Sequence, residues 1–230
     1  MKKLKRRDLS NIIRAQRDEL RRFLPGVFVI GKWFTLLFSK RSFLRKSGYF
    51  RSVREGRPVR ADGSPIPWMN YGVISLLESR LNKNLSVFEY GSGNSTLFFA
   101  ERVGSVTVVE HNPAWFEIVS GTLPGNARVL LCDPFEPGRY VSTLADQGRK
   151  FDVIIIDGQE RHRCLEIAPE WLTPDGVILL DDANPDDYGD AIRATINKGF
   201  RMLAFEGLKA GSIRPYRTVL LYRSGNVLGI

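Results

Sequence analysis

From Leu85 onward, short apolar runs alternate with amphipathic stretches. Leu85–Tyr90 (LSVFEY), Ser105–Glu110 (SVTVVE), Ala127–Leu131, Phe151–Ile156 (FDVIII) and Gly176–Leu180 (GVILL) read as short strands, Phe151–Ile156 ending in four apolar residues and Gly176–Leu180 apolar throughout. Ser95–Arg102, Pro113–Ser120, Cys164–Trp171 and Tyr188–Lys198 read as the intervening helices, the second with Asn112 as cap and proline at its first position. Phe200–Glu206 and Thr218–Arg223 close the chain as strands. Only Gly207–Arg217 separates them, too little for a crossover helix, so they predict an antiparallel closing pair. The alternation implies an α/β fold: an open, mostly parallel sheet covered by helices on both faces. Tyr71–Leu81 precedes it as a helix, with Val73, Leu76, Leu77 and Leu81 at helical spacing.

The N-terminal pattern differs. Met1–Arg22 reads as a basic helix with a sparse apolar side, and Phe23–Phe38 (FLPGVFVIGKWFTLLF) is strongly apolar but interrupted by Lys32, Pro25 and two glycines. A spanning helix wants about 20 clean apolar residues, and no small-residue cleavage pattern marks a secretory signal. Two readings stay open: a helix packed on the main domain, or an element lying in a membrane interface. Residues 47–67, with three prolines and three glycines, read as a connector or lid. The expected organisation is therefore a basic, apolar helical extension with its connector over 1–67 and one α/β domain over 68–230.

Charge sharpens this division. Residues 1–60 hold 18 Lys/Arg against 4 Asp/Glu, whereas the remaining 170 hold 16 against 21. The basic character belongs to the extension, whose residues 1–46 can meet an anionic membrane surface, a polyanionic partner or only water. The acidic domain argues against a nucleic-acid footprint around the site. Two cysteines and two histidines are too few for a disulfide scaffold or a self-contained Cys/His metal cluster. The expected location is cytoplasmic, peripheral to a membrane if the extension engages lipid.

In open α/β sheets ligands bind at the carboxyl ends of the strands. The first strand ends in Glu89-Tyr90, followed by Gly91-Ser92-Gly93-Asn94-Ser95-Thr96. The glycines permit a tight turn and close backbone approach, and amides at the next helix start can hold an anionic group. Glu110 ends the second strand about 20 residues on, where a carboxylate can accept both ribose hydroxyls of a nucleoside. A dinucleotide fingerprint wants a third glycine, and position 96 is threonine. A ligand with a nucleoside end and a small zwitterionic end fits better than a pyrophosphate. Cys132-Asp133 follows the third strand, where Asp133 can meet an adenine amino group or simply form a solvated turn.

Together VFEYGSGNST, VTVVEHNPAWF, LCDP, FDVIIIDGQERHRC and LTPDGVILLDDAN resemble, in order, the motifs of class I S-adenosylmethionine-dependent methyltransferases over about Trp68–Arg223. The resemblance implies a Rossmann-like seven-stranded sheet of order 3-2-1-4-5-7-6 with the last strand antiparallel. It implies S-adenosylmethionine as cofactor, held by Glu89, Gly91, Ser92, Gly93, Asn94, Ser95, Glu110, His111, Cys132, Asp133 and Asp157. Methyl transfer to oxygen, or less readily nitrogen, of a small-molecule or saccharide-like acceptor is the expected activity.

Asp157, His162 and Asp182 are candidate catalytic residues, His162 because a histidine titrates near neutrality. Trp68, Asn70 and Tyr71, beside the connector, together with Gln159, Arg161, Arg214 and Tyr216, are candidate acceptor-binding residues. Asp157, Asp181 and Asp182 offer oxygen ligands for Mg2+. This is similar to cation-dependent catechol-type O-methyltransferases, which place an Asp-Asn pair after strand five. Here the pair is Asp181-Asp182, with Asn184 two positions on. The alternative is that these acids cap a helix or hold Arg161 or Arg193 in place. Three other functions remain: an RNA or DNA methyltransferase, a nicotinamide-dependent oxidoreductase, and a non-catalytic nucleoside-binding protein.

Overall fold

A computed structural model describes residues 18, 19, 21–132 and 136–230. Most of the basic stretch 1–22 and Asp133 lie outside the described residues. The chain divides into two compact units, the first ending at Ser47 and the second running Gly48–Ile230.

In the first unit the apolar run forms the helix Pro25–Phe38, with proline in its first turn, and Phe43–Lys46 adds a short turn capped by Ser42. No residue of Pro25–Phe38 is buried. Among the described residues no helix is long and apolar enough to cross a membrane.

The second unit carries a seven-stranded sheet in the order β3-β2-β1-β4-β5-β7-β6. The strands are β1 (Ser86–Tyr90), β2 (Ser105–Glu110), β3 (Ala127–Leu131), β4 (Phe151–Ile156), β5 (Leu172–Leu180), β6 (Arg201–Leu208) and β7 (Pro215–Tyr222). β1 to β5 run parallel, and β7 is antiparallel to both β5 and β6. Order, direction and the closing pair agree with the expectation.

The all-apolar strands feed two cores, because successive side chains leave opposite faces of a strand. Ile154 and Ile156 of β4 join Phe88, Tyr90, Ile178 and Leu180 on one face. Val153 and Ile155 join Val87, Phe98, Val177 and Leu179 on the other. This double burial fixes the register of β1, β4 and β5 and thereby aligns their carboxyl ends.

Residues 48–67 belong to the sheet unit. They contain the helix Tyr49–Glu55, flanked by Gly48 and Gly56 in left-handed conformation. Ser52 Oγ accepts from Val59 N–H, and Asn94 donates to Pro58 O, which ties this segment to the glycine loop. Asn70 then caps the helix Tyr71–Arg80 by accepting from Val73 N–H, and its backbone bridges to Lys209 beyond β6.

Candidate functional site

β1, β2, β4 and β5 end at one edge, and each contributes an acid there. Glu89 is buried within β1, where its Oε2 accepts from Thr96 Oγ1 at 2.6 Å. Thr96 Oγ1 in turn accepts from Gly93 N–H. The residue in place of a third glycine therefore ties the glycine turn to the buried carboxylate. The other oxygen, Oε1, is buried with no hydrogen-bond partner. Burial, and secondarily the charge of Glu110, pushes Glu89 up to about 7, opposed by the neighbouring Ser95 and Thr96 hydroxyls.

This displacement has a definite sign. Between about 4.5 and about 7 the folded chain keeps a proton on Glu89 that the unfolded chain has released, so stability falls as pH rises through that window and is level above it. The full difference corresponds to about 3 kcal/mol. Glu89→Gln is expected to raise the melting temperature at pH 8 and change it little at pH 4.5, measured by calorimetry. An equal shift at both pH values would contradict the assignment.

Glu110 is also buried, and it faces the loop after β1. Its Oε2 accepts from Ser92 Oγ at 2.6 Å and Ser92 N–H at 3.2 Å, and its Oε1 accepts from the amides of His111 and Asn112, each at 2.9 Å. Gly91 has φ +90°, and a Cβ there would stand 3.0 Å from Asp157 O. The turn thus packs against the end of β4 with no room for a side chain.

Between these elements lies a cavity of about 390 Å³ lined by Gly91, Ser92, Ser95, Glu110, His111, Asn112, Trp115, Asp157, Gly158, Gln159 and Arg161. Trp115 borders it with Nε1 donating to Ser92 O. His111 stands with Nδ1 3.2 Å from Glu110 Oε1. Cys132 is buried next to β2, its N–H donating to Glu110 O. Asn94 is held by Pro58 O at the margin.

A second cavity, of about 450 Å³, is lined by Asp182, Asn184, Pro185, Glu206, Pro215, Tyr216 and Arg217. Arg161 joins the two: its guanidinium lies 3.1 Å from Asp157 Oδ1 and 3.7 Å from Asp182 Oδ2, and it donates to the carbonyls of Gly158 and Asp181. Its fork is therefore engaged by the protein itself. Burial, then the charge of Asp181, raises the Asp157 carboxyl well above its ordinary value. Burial likewise pushes Asp181 up to about 6, opposed by its hydrogen bond from Thr218. Asp182 is partly exposed and has φ +49°, a left-handed backbone at the turn out of β5.

Other expected residues fall elsewhere. His162 is exposed on the helix Arg161–Ile167 and is absent from the lining of both cavities. Arg214 is exposed, also outside both linings, whereas Tyr216 lines the second cavity. Asn70 is buried, donating to Phe205 O and Thr218 Oγ1. Trp68 Nε1 donates to Ala210 O, and Tyr71 packs against the core of one sheet face. Arg193 pairs with Asp190, away from the acid cluster.

Three residues at this edge escaped the sequence reading. Lys209 is buried with Nζ 2.7 Å from Asp182 Oδ1 and 3.8 Å from Asp181 Oδ2. Tyr140 is buried against Gly158, and Arg217 shares the wall of the second cavity. A single lysine between Leu208 and Ala210 carries no pattern that would mark it.

No protein-family model matches the sequence, and no curated protein matches it. Among solved structures, the chain is similar to precorrin-8w decarboxylase of Methanobacterium thermoautotrophicum, at 20% identity over 69% of this chain and 93% of the other, with a TM-score of 0.53. It is similar also to precorrin-6y C5,15-methyltransferase of Geobacter metallireducens, at 16% identity over 66% and 87%, with a TM-score of 0.52. At these identities the likeness shows the fold alone, an α/β Rossmann-like fold.

Proposed function

We propose that this chain transfers a methyl group from S-adenosylmethionine to an oxygen of a small-molecule or saccharide-like acceptor. The observation that carries the proposal is the placement of Glu110 on the wall of the same cavity as the glycine turn Gly91–Gly93. The residues present fit that cofactor. Glu110 would take the ribose hydroxyls in place of the Ser92 hydroxyl, and Trp115 and His111 would border the base. The unpartnered Oε1 of buried Glu89 suits an ammonium group, directly or through water.

The bound sulfonium supplies an electrophilic methyl group. The protein's part is to hold an acceptor in line and to manage its proton. Asp157 lines the first cavity and Asp182 the second, with Arg161 between them, so an acceptor in the second cavity meets carboxylates at the junction. Asp182, paired with Lys209, is suited to accept a hydrogen bond from an acceptor hydroxyl, and Asp157 is suited to remove its proton. Tyr216 offers the ring face that Lys209 does not cover, a surface that suits the apolar side of a sugar ring, while the Asn184 amide is engaged in capping the helix Pro185–Asn197.

The test is incubation with S-adenosylmethionine labelled in its methyl group, together with small-molecule, RNA and DNA fractions. Label in the small-molecule fraction supports the proposal. Label confined to nucleic acid, or none anywhere alongside tight NAD binding, would remove it.

We infer from the first unit a place for the chain at a membrane surface. Phe23, Ile30, Trp33 and Phe34 are 60% exposed or more, and Arg21, Arg22, Lys40, Arg41, Arg45 and Lys46 flank the helix. A helix of 14 residues is about 21 Å long, short of the roughly 30 Å hydrocarbon core. It suits lying in the interface of an anionic membrane. The double substitution Ile30→Glu with Trp33→Glu is expected to cut sedimentation with phosphatidylserine vesicles at least about tenfold, since each side chain buries on the order of 2 kcal/mol of apolar surface. Unchanged sedimentation would defeat this placement.

A further inference from the structure

On ligand type alone, Asp157, Asp181 and Asp182 make a divalent-cation site: one carboxylate oxygen from each lies within 4.8 Å of the others. Their surroundings do not fit one. A small hard cation demands carboxylate lone pairs directed at a common point, with water completing an octahedron. Here the carboxylates are directed at fixed protein groups. Asp157 faces Arg161, and Asp182 lies between Lys209 Nζ and Arg161. Asp181 accepts from Thr218 Oγ1, while its second oxygen, buried and without a hydrogen bond, has the Lys209 ammonium as its counter-charge at 3.8 Å. A dication added here would meet two monocations already in place.

Lys209 is also restrained from the other side. Its Nζ lies 3.8 Å from the centroid of the Tyr216 ring, a cation–π geometry. Its backbone is bridged to Asn70. Asn70 donates to Thr218 Oγ1, which donates to Asp181. The ammonium is thus held between the acids at the end of β5 and the Tyr216 ring of β7, with the Lys209 backbone fixed to Asn70 at the start of the helix Tyr71–Arg80. A surface lysine does not show this convergence, since its flexible stem ordinarily keeps the charge in water.

We propose that the Lys209 ammonium is the resident cation of this acid cluster, and that the chain takes up no divalent metal ion there. Lys209 then sets the charge of the wall on which Asp182 and Tyr216 face the second cavity. The inference rests on the geometry of the edge and is independent of the methyl donor.

The experiment is a titration of the full chain with Mn2+, with free ion followed by electron paramagnetic resonance. The wild type and Lys209→Arg are expected to take up no stoichiometric Mn2+. Lys209→Met is expected to gain one stoichiometric site, binding Mn2+ at least about tenfold tighter than any residual uptake by the wild type, because a positive charge 2.7 Å from Asp182 and 3.8 Å from Asp181 has been removed. Adding Asp181→Asn to Lys209→Met is expected to abolish that site. One equivalent bound by the wild type and lost in Asp181→Asn would overturn the proposal, as would a folded Lys209→Met with no gain. Should Lys209→Met fail to fold, the wild-type titration decides: stoichiometric uptake overturns the proposal, and its absence upholds it. Neither result depends on whether the chain binds S-adenosylmethionine.

Discussion

Glu110→Gln is expected to weaken S-adenosylhomocysteine binding by about a hundredfold, a cost of about 3 kcal/mol. The carboxylate accepts four hydrogen bonds, two per oxygen, from Ser92, His111 and Asn112. An amide in its place turns one acceptor into a donor facing two other donors. Each charge-assisted hydrogen bond lost costs about 1.5–3 kcal/mol. The glycine turn then loses its anchor, and the nucleoside loses its ribose acceptor. Glu117→Gln, on an exposed face of the helix Pro113–Ser120, should leave the affinity unchanged. Calorimetric titration of the two variants checks this pair, and equal affinities would remove Glu110 from the binding site.

Gly158→Ala is expected to lower stability by roughly 3 kcal/mol, a fall in melting temperature of about 10 °C for a chain of this size. A Cβ at Gly158 would fall on the Tyr140 hydroxyl and stand 3.0 Å from Gly91 N. Tyr140 is buried, so its ring has no free space into which to retreat. Adding Tyr140→Phe should restore part of the loss, because it removes the nearest obstacle. The ring carbon Cζ, 3.0 Å away, still resists. Thermal denaturation of the three variants measures this. A neutral Gly158→Ala would mean that the turns after β1 and β4 do not approach as described.

These two predictions draw on different depths of sequence information. The sheet was legible because its central strands are apolar on both faces. β2, β3 and β4 have the bounds expected from Ser105–Glu110, Ala127–Leu131 and Phe151–Ile156. β5 starts earlier than Gly176, at Leu172. Thr173-Pro174-Asp175 interrupts the apolar pattern there, and a register shift against β4 carries the pairing through. The helix Tyr49–Glu55 was hidden by the glycines and prolines around it, two of which, Gly48 and Gly56, serve as its left-handed ends.

At the site, Gly91 and Glu110 were legible because strand ends and a fixed spacing place them. The phase of the helix after β4 was not. It starts at Arg161 and not at Cys164, which leaves Arg161 half-buried between two acids and His162 exposed. Lys209 was invisible for a different reason. Its partners Asn70, the pair Asp181-Asp182 and Tyr216 come from three separate segments, and only the closing antiparallel pair brings them together. Long-range convergence of this kind leaves no local period to read.

The most direct measurement is isothermal titration of the wild-type chain with S-adenosylhomocysteine, alongside NAD as comparison. Saturable one-to-one binding of S-adenosylhomocysteine is expected, with NAD giving no heat of binding. No heat with S-adenosylhomocysteine, or saturable binding of NAD in its place, would contradict it.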